Sequence, residues 1–455
     1  MARKKTAEEL MLEAELSAQK ERGSQSDRGQ TLSDAESRPV PDAAREVAAV
    51  AKRRVNPKAV AIVVAAIAVV AIAAFIVSRM VFSHSTDVWD GTADTSWYSA
   101  GMTSMNITTA EQLAGMRKLC NDGTSLEGIR FTLARNLDLY DIPTKPIGDG
   151  RNMGGTYNVF KGSFDGGGHT ISGMNVQEDT WDHAGLFGSA SGGDIQNLTV
   201  EGKVTGQVRV GGVVGEIDGG SLANCTNRCK VASTKTATSY YPVTADVGGV
   251  CGIWLGIARA DVTSAKLENL TNEGDVSARA CSAGGVVGTI ANTDGFTLTV
   301  DNLVNDGAVT VYCETDERDE AVGGVVGVIG VHGTDIVSNL VNNGEVACST
   351  VLSVGGVVGA LMPYQRSAKE EPKGEYAEGI ELRKLSNTAR VGANAADERA
   401  HVGGIVGYLE DSAVVFEECE NTGELAATNG NADDIAATNG AEVWDAWEDE
   451  HPKTW

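Results

Sequence analysis

The chain has 455 residues, 42% hydrophobic and only 5% aromatic, with 55 glycines and 9 prolines. This composition favours a large domain of many short strands over a helical globule or a proline-rich stalk. The 62 Asp and Glu residues outnumber the 37 Lys and Arg, giving a net charge of −25. A chain this acidic is a poor match for nucleic acid or an anionic membrane surface, so no nucleic-acid partner is expected.

Residues 1–54 are polar and nearly neutral in charge, and we expect a largely disordered cytoplasmic segment. The run "AVAIVVAAIAVVAIAAFIV" at 59–77 carries no charge. As a helix it spans roughly 28 Å, which fits the hydrocarbon core of a bilayer. Its N-terminal flank is the more basic one, which predicts a single-pass anchor within 55–82 and a surface-exposed C-terminal part. A cleaved signal peptide is the competing interpretation, but no clear cleavage site follows the run.

After an extracellular lead-in segment at 83–107, residues 108–183 are predicted to hold a capping helix and the first coils of a β-domain. In "ITTAEQLAGMRKLCNDG", Thr108 and Glu111 have capping-box spacing, and "NDG" ends the helix. Leu113, Met116 and Cys120 lie on one face of this helix. "FTLARNLDL" then alternates as a half-buried strand does.

Residues 184–425 repeat themselves. A Gly-Gly box, "VGGVVG" or a close variant, begins at Val210, Val247, Ala283, Val322, Val354 and Val402. A phosphate loop occurs once and is followed by a Lys and a helix, and neither follows these boxes. We therefore interpret the box valines as core residues and expect its glycines to adopt positive φ in turns.

A second unit, such as "NLTNEGDV", lies between successive boxes, and its residues align in three columns. Stacked coils of a parallel β-solenoid would place each column in the core, with the asparagines forming an amide ladder at a turn. Roughly a dozen coils would extend some 60 Å. The Leu, Asn and Val columns are Leu198, Cys225, Leu270, Leu303, Leu340, Leu385 and Cys419; Asn227, Asn272, Asn305, Asn342, Asn387 and Asn421; and Val204, Val231, Val276, Val309, Val346, Val391 and Leu425.

Several blocks in order, "GSFDGGGHTISGMNV", "AGLFG", "IQNLTVEGKV" and "VGGVVG", resemble the GLUG-motif repeat proteins. These are bacterial surface proteins related to regions of IgA-cleaving metallopeptidases and adhesins. The resemblance covers roughly 86–425 and implies an all-β, right-handed parallel β-helix with a surface role and no catalytic site. The chain departs from the pattern at Gly167, where Asn is frequent, and in its last two degenerate units.

Catalytic chemistry finds little support in the sequence. The metallopeptidase pattern H-E-x-x-H does not occur, so peptidase activity is not expected. The densest candidate cluster for a β-helix lyase or hydrolase is Asp165, Asp179 and Asp182 with His169 and His183. Asp165 and His169 belong to the turn motif, however, and a structural role is the favoured interpretation. We predict no catalytic, cofactor-binding or metal-binding residues.

Eight cysteines follow the apolar run, and we expect at most one or two disulfides and no metal cluster. Four asparagines stand in glycosylation sequons, but three of these matches belong to the repeat and arise as by-products of it. The cysteines are Cys120, Cys225, Cys229, Cys251, Cys281, Cys313, Cys348 and Cys419, and the sequon asparagines are Asn106, Asn197, Asn224 and Asn269.

The tail at 426–455 is acidic and carries three tryptophans. It is interpreted as a solvated end, with docking onto a partner or onto the last coil as the alternative. The chain as a whole reads as a membrane-anchored surface protein with a non-catalytic β-helix that binds glycans or extended proteins. The alternatives are a carbohydrate-active β-helix enzyme and a structural spacer of an envelope assembly.

Overall fold

A computed structural model describes most of the chain after residue 87: 88–151, 157–178, 183–234, 245–256, 263–279, 281–292, 297–312, 321–330, 335–349, 353–361, 380–393, 400–409, 414–427 and 430–436. The predicted anchor, the cytoplasmic segment and the tail after 436 lie outside these ranges, so their assignments stay predictions. Within the described ranges, no helix has the length and apolarity needed to cross a bilayer.

The one helix among the described residues, α1 (Ala110–Asn121), begins one residue later than the sequence predicts. Its N-cap is Thr109, which is extended (φ −137°, ψ 158°) and whose hydroxyl accepts from Gln112 N over 3.3 Å. The Gln112 side chain in turn accepts from Thr108 N over 2.8 Å. The capping box is therefore Thr109–Gln112, and the Thr108–Glu111 assignment was wrong. The predicted face of α1, with Leu113, Met116 and Cys120, is buried, and the helix ends before Asp122 and Gly123, so both predictions are confirmed.

The strands stack in parallel, and the all-β solenoid is confirmed. The longest sheet, here the long sheet, consists of β1 (Ser104–Ile107), β2 (Arg130–Leu133), β3 (Leu137–Asp138), β4 (Pro143–Thr144), β7 (Ser163–Gln177), β9 (Ile195–Gly206), β12 (Leu222–Ser233), β15 (Ser264–Asn272), β16 (Val276–Ala278), β19 (Thr297–Asn305), β20 (Val309–Tyr312), β23 (Ile336–Asn342), β24 (Val346–Ser349), β27 (Glu381–Arg383), β28 (Ser386–Asn387), β29 (Val391–Ala393), β32 (Val415–Glu417), β33 (Glu420–Asn421) and β34 (Leu425–Ala427).

Two further parallel sheets flank the Gly-Gly boxes, and a short antiparallel pair, β5 (Gly150–Arg151) and β6 (Tyr157–Asn158), stands apart. The pre-box sheet consists of β10 (Arg209–Gly211), β13 (Ala245–Gly248), β17 (Cys281–Gly284), β21 (Ala321–Gly323), β25 (Ser353–Gly355), β30 (Ala400–Gly403) and β35 (Gly430–Asp433). The post-box sheet consists of β8 (Phe187–Ser191), β11 (Val214–Asp218), β14 (Cys251–Gly256), β18 (Val287–Asn292), β22 (Val326–Gly330), β26 (Val358–Leu361) and β31 (Val406–Leu409).

Each coil contributes one to three strands to the long sheet and at most one strand to each of the other two parallel sheets. The predicted columns align in the observed registers. The box residues Val210, Val247 and Ala283 are successive partners, and Cys225 pairs with both Leu198 and Leu270. Ten long-sheet strands follow one another as neighbours, β1, β2, β7, β9, β12, β15, β19, β23, β27 and β32. At about 4.8 Å per coil they span about 43 Å rather than 60 Å. The strands β2, β3 and β4 share one coil, since all three pair with β7.

The box glycines have a different role from the expected one, since none of them adopts a positive φ. They permit close approach instead. A Cβ on Gly212 would clash with the side-chain amide of Asn227, and one on Gly215 would lie 2.6 Å from the Arg209 carbonyl oxygen. Val213 and Val214 are fully buried, as predicted. The boxes are therefore tight corners that press against the amide ladder and the neighbouring backbone.

Candidate functional site

Asp165 forms a structural turn. Its Oδ1 accepts from Gly167 N over 2.9 Å and from Asn197 Nδ2 over 3.0 Å, while Oδ2 accepts from Gln196 Nε2 over 3.1 Å. Burial raises the pKa of Asp165, but these hydrogen bonds outweigh it, and the pKa is lowered overall. A carboxylate held ionised by three donors is a poor proton donor.

The remaining members of the predicted cluster do not converge on Asp165 within the described residues. The ring Nδ1 of His169 lies 3.2 Å from Asn136 Oδ1, which also accepts from Thr170 N over 3.1 Å. Asp179 and Asp182 lie outside the described residues. His183 is described, and it belongs to a different cluster at the box corners.

That cluster occupies a groove formed because the outward side chains of the pre-box and post-box strands face each other. We call it the box groove. Its pre-box side is His183, Arg209, Asp246, Ser282, Ala321, Ser353 and His401, and its post-box side is Ser189, Glu216, Ile253, Thr289, Val328, Ala360 and Tyr408.

The first coils of the box groove are ionic and buried. Arg209 Nη1 forms an ion pair with Glu216 Oε2, and its Nε lies 3.9 Å from Asp246 Oδ2. Thr289 Oγ1 donates to Asp246 Oδ1 over 2.5 Å. Glu216 and Asp246 are only 5% and 8% exposed. One guanidinium thus lies within ion-pair distance of two largely buried carboxylates.

His183 closes this cluster, with Nε2 at 3.7 Å from Glu216 Oε2. Burial, together with the nearby Arg209 cation, lowers the pKa of His183 to about 3. The imidazole is therefore neutral at physiological pH and lies inside the protein rather than at an open cleft. The carboxylates are engaged by Arg209, so the geometry is that of a structural ionic core.

Further along the chain the box groove holds an apolar cluster beside the buried polar residues Ser353 and His401. Ala321, Ala360 and Tyr408 are buried against one another, and Val328 packs on them. Some of the positions that are equivalent to the charged ones of the first coils thus form a small second core in the later ones. Within the described ranges, no set of three or more His, Cys, Asp or Glu side chains is grouped so that it could hold a metal ion.

The outer face of the long sheet carries the most regular feature of the surface, a second asparagine ladder that sequence reasoning missed. Asn197, Asn224, Asn269, Asn302 and Asn339 all adopt φ between 53° and 55°. Asn224 Nδ2 donates to Asn197 Oδ1 over 2.9 Å, and Asn302 Nδ2 donates to Asn269 Oδ1 over 2.8 Å. The first member, Asn197, donates to Asp165, an acceptor-only group that terminates the row.

The sequence contains a signal for this ladder. Inward-facing residues of a strand are two positions apart, whereas the buried Ile195 and Leu198 are three apart. One extra residue must therefore be accommodated in each coil. Asn is among the few non-glycine types that accept the left-handed conformation, and it stands at this position in five coils.

A column of β-branched residues runs beside the exposed ladder. Thr170, Thr199, Thr226, Thr271, Val304 and Val341 are successive register partners. All are half-buried. The next outward column carries charge and includes the Arg228–Glu273 ion pair, with Nε to Oε2 at 2.7 Å. The face therefore presents a row of amides, a row of β-branched side chains and a row of charged or polar groups along the solenoid axis.

Exposed aromatic side chains do not form a row on the described part of this face. Tyr140 and Tyr312 are 39% and 54% exposed, and each stands alone in its coil. The Arg279 guanidinium lies 5.9 Å from the ring centre of Tyr312.

Six cysteines are described, and all six are free thiols: Cys120, Cys225, Cys229, Cys251, Cys348 and Cys419. Cys225 and Cys251 are fully buried in apolar columns, as the alignment predicts. Burial raises the pKa of Cys225 to about 12 and also raises that of Cys251. The side chains of Cys281 and Cys313 lie outside the described residues.

Comparison with known proteins finds limited similarity. No protein-family model matches this chain. Halomucin from Haloquadratum walsbyi is 28% identical in an alignment of 165 residues that covers 29% of this chain and 2% of halomucin. This chain therefore corresponds to only a small part of that relative's length.

One solved structure, from Bacteroides ovatus, belongs to a protein provisionally named an immunoglobulin A1 protease. It is 16% identical, with a TM-score of 0.43 over 80% of this chain and 92% of that chain. A likeness at this level supports neither a shared fold nor a shared activity. The GLUG resemblance rests on the sequence motifs alone.

Proposed function

We propose that this chain is a membrane-anchored bacterial surface protein whose β-solenoid is a non-catalytic module for binding glycans or extended proteins. The proposal includes a right-handed coil of GLUG-type repeats. The observation that carries it is the outer face of the long sheet, where the same side-chain types recur at every coil spacing from Thr170 to Val341.

A repeating face suits a repeating ligand. Each of the five coils from Asn197 to Asn339 presents an asparagine amide, a β-branched side chain and a charged or polar group in the same relative positions. An extended ligand with a similar repeat makes several weak contacts at once, so affinity grows with its length. The solenoid core keeps these rows in register without ligand, which limits the entropy lost on binding.

Surface localisation is supported by the uncharged run at 59–77 and its basic N-terminal flank. Halomucin, to which part of the chain is similar, has a name that is in keeping with a surface role. The partners of the proposal are accordingly a membrane, through the anchor, and an extracellular glycan or protein.

The enzyme alternative would use the carboxylates and imidazole of the box groove. The groups there are the right types for hydrolase or lyase chemistry, but Arg209 is bound to Glu216 and lies 3.9 Å from Asp246. Glycoside hydrolysis needs one protonated and one ionised carboxyl facing a substrate site. The spacer alternative predicts neither binding nor turnover.

The test incubates the full-length chain with a panel of mucin, plant and cell-wall polysaccharides and measures retained protein and newly formed chain ends together. Three variants place a cation in the β-branched column: Thr199→Lys, Thr226→Lys and Thr271→Lys. Ser125→Lys, an exposed position outside the long sheet, is the matched control.

We expect the protein to be retained on a polysaccharide without forming new chain ends. Retention should be lost in the three column variants and kept in the control. New chain ends that disappear in Glu216→Gln would replace the proposal with the enzyme. Retention that is equal in all four variants would place the binding elsewhere on the chain. No retention by any polysaccharide would favour a protein partner or the spacer.

A further inference from the structure

The two ends of the described solenoid differ. At the N-terminal end, α1 lies in the same coil as β1 and contributes Leu113, Met116 and Cys120 to the main core. At the C-terminal end, β32, β33 and β34 pair only with the preceding coil in the described part of the chain. A strand edge of this kind presents unpaired backbone donors and acceptors.

The core is also incompletely covered at this end. Val415 is 53% exposed, and Phe416, Leu425 and Ile435 are only partly buried. One coil earlier, the corresponding Leu382, Val391 and Ile405 are fully buried. An additional layer of side chains would complete the burial of this last coil.

The described chain ends at Ala436, just after a strand that stacks on the box strand of the preceding coil. β35 aligns with β30, so that Ala432 partners Val402 and Asp433 partners Gly403. Ala436 then bridges to Val406. The stretch "ADDIA" at 432–436 is thus a seventh, degenerate box. In earlier coils the first inward residue of the long-sheet strand follows this bridge position by 8 to 24 residues. The shortest of these spacings are 8 residues, from Val214 to Leu222, and 10 residues, from Val406 to Phe416.

The sequence that follows fits one more long-sheet strand. "VWDAWE" at 443–448 aligns with "FEECEN" at 416–421 and "LENLTN" at 267–272. Val443, 7 residues after Ala436, then takes the inward position of Phe416, and Ala446 takes that of Cys419. Asp445 falls at the left-handed position of Glu418, and Asp tolerates that conformation.

We propose that residues 443–448 dock on the open edge of β32 and β33 as a further parallel strand and close the C-terminal end of the solenoid. Val443 and Ala446 cover Phe416 and Cys419, while Trp444 and Trp447 face outward. The occupant is this segment rather than another molecule because it follows the last coil directly, so its effective concentration at the edge is high.

Charge is compatible with this register. The outward neighbours of the last coil include Glu417 and Glu420, and the aligned residues above them are the uncharged Trp444 and Trp447. Asp445 is the one residue that would stand above a like charge, at Glu418, which already lies 4.0 Å from Lys384 Nζ. Screening at physiological ionic strength keeps such an exposed pair weak.

The test measures hydrogen exchange of the backbone amides of 415–421 in the full-length chain. Val443→Asn and Ala446→Asn place a polar group at inward positions. Trp444→Asn and Trp447→Asn make the same replacement at outward positions and serve as matched controls. Amides of the first coils report whether the rest of the solenoid is intact.

We expect exchange at 415–421 to accelerate about tenfold or more in the two inward variants and to stay near the original rate in the two outward variants. The reverse pattern, or equal rates in all variants and in a chain ending at Ala436, would overturn the proposal. Protection that falls on dilution would also overturn it, because a second copy would then cover the edge. None of these results depends on whether the chain binds a glycan.

Discussion

Asn305 Nδ2 donates to Asn342 Oδ1 in the next coil over 2.9 Å and to the Gly307 carbonyl oxygen over 2.8 Å. Both asparagines are fully buried. The row runs from Asn227 to Asn421 with every bond donated toward the C-terminus. The exposed row from Asn197 to Asn302 is donated toward the N-terminus. The predicted amide ladder is therefore one of two, and they run in opposite directions.

Replacing Asn305 by Ala should lower the free energy of unfolding by about 2–4 kcal/mol. The change removes a buried acceptor of Asn272 and a buried donor to Asn342, and partly unsatisfied groups remain behind. Asn343→Ala is the matched control because Asn343 is exposed, and its effect should stay within about 0.5 kcal/mol. Denaturant unfolding of the full-length chain measures both. Equal effects would show that the buried ladder adds nothing beyond an exposed hydrogen bond.

Gly249→Ala should destabilise the chain by more than about 3 kcal/mol, because its Cβ would clash with the Asn272 amide and the Gly285 carbonyl oxygen. Gly101→Ala separates this effect from backbone conformation. Gly101 has φ 84° and open space around its Cα, so alanine there costs only the left-handed conformation, about 1 kcal/mol. Comparable losses in the two variants, measured by denaturant unfolding, would contradict the close-approach role of the boxes.

Lys384→Asn should stabilise the chain by about 0.5–1 kcal/mol. Lys384 has φ 56° at the position that asparagine occupies in five earlier coils. Asn accepts this conformation more readily, and its amide can extend the exposed ladder. The contact between Lys384 and Glu418 is at 4.0 Å and exposed, so its loss matters little.

Lys266→Asn, at an exposed strand position, is the control for Lys384→Asn and should give no gain. The denaturant midpoints of Lys384→Asn and Lys266→Asn, each compared with that of the original chain, show whether the gain is specific to position 384. A gain in both variants would mean that losing a lysine, rather than relieving the backbone, is what stabilises the chain.

The repeat made the core predictable. Because Val210, Val247 and Ala283 recur at coil spacing, their register followed from the sequence once the solenoid was inferred. The amide ladder followed for the same reason. Periodicity did not distinguish a glycine needed for positive φ from one needed for close approach, since both appear as an invariant letter in the repeat. The role of Gly212 could be recognised only from the short distance between a Cβ at this position and the side chain of Asn227.

The box groove could not be predicted from the periodicity of the repeat. Alternation shows that Arg209 and Glu216 point away from the core, but not that the two strands fold back so that outward side chains meet. His183, Arg209 and Asp246 are brought together from three coils by that corner. Their burial depends on the angle between two sheets, which no local sequence feature encodes.

The buried thiols should resist alkylation in the folded chain. Burial raises the pKa of Cys225 to about 12, and Cys251 is equally enclosed, so neither presents a thiolate. Cys419 is only partly buried at the open end of the solenoid and should react with iodoacetamide before the other five described cysteines. Mass spectrometry of peptides after timed labelling gives the order. Labelling of Cys225 at the rate of Cys419 would contradict the packing of that column.

Acid should destabilise the first coils through His183. Its pKa is lowered from 6.5 to about 3 by burial and by Arg209. Between these values the unfolded chain binds a proton that the folded chain excludes, so stability falls as the pH drops below 6.5. From about pH 6.5 to pH 5 the loss should be about 1–2 kcal/mol.

Denaturant unfolding at several pH values, with His183→Gln as the comparison, isolates this contribution because the carboxyl groups titrate equally in both chains. Between about pH 6.5 and pH 5, His183→Gln should lose less stability than the original chain, by the contribution of His183. The rest of the pH dependence should be the same in both chains. Identical pH dependence would mean that the folded chain can protonate His183 without opening the box groove. Glu216, 3.7 Å from its Nε2, would then be the group that stabilises the imidazolium.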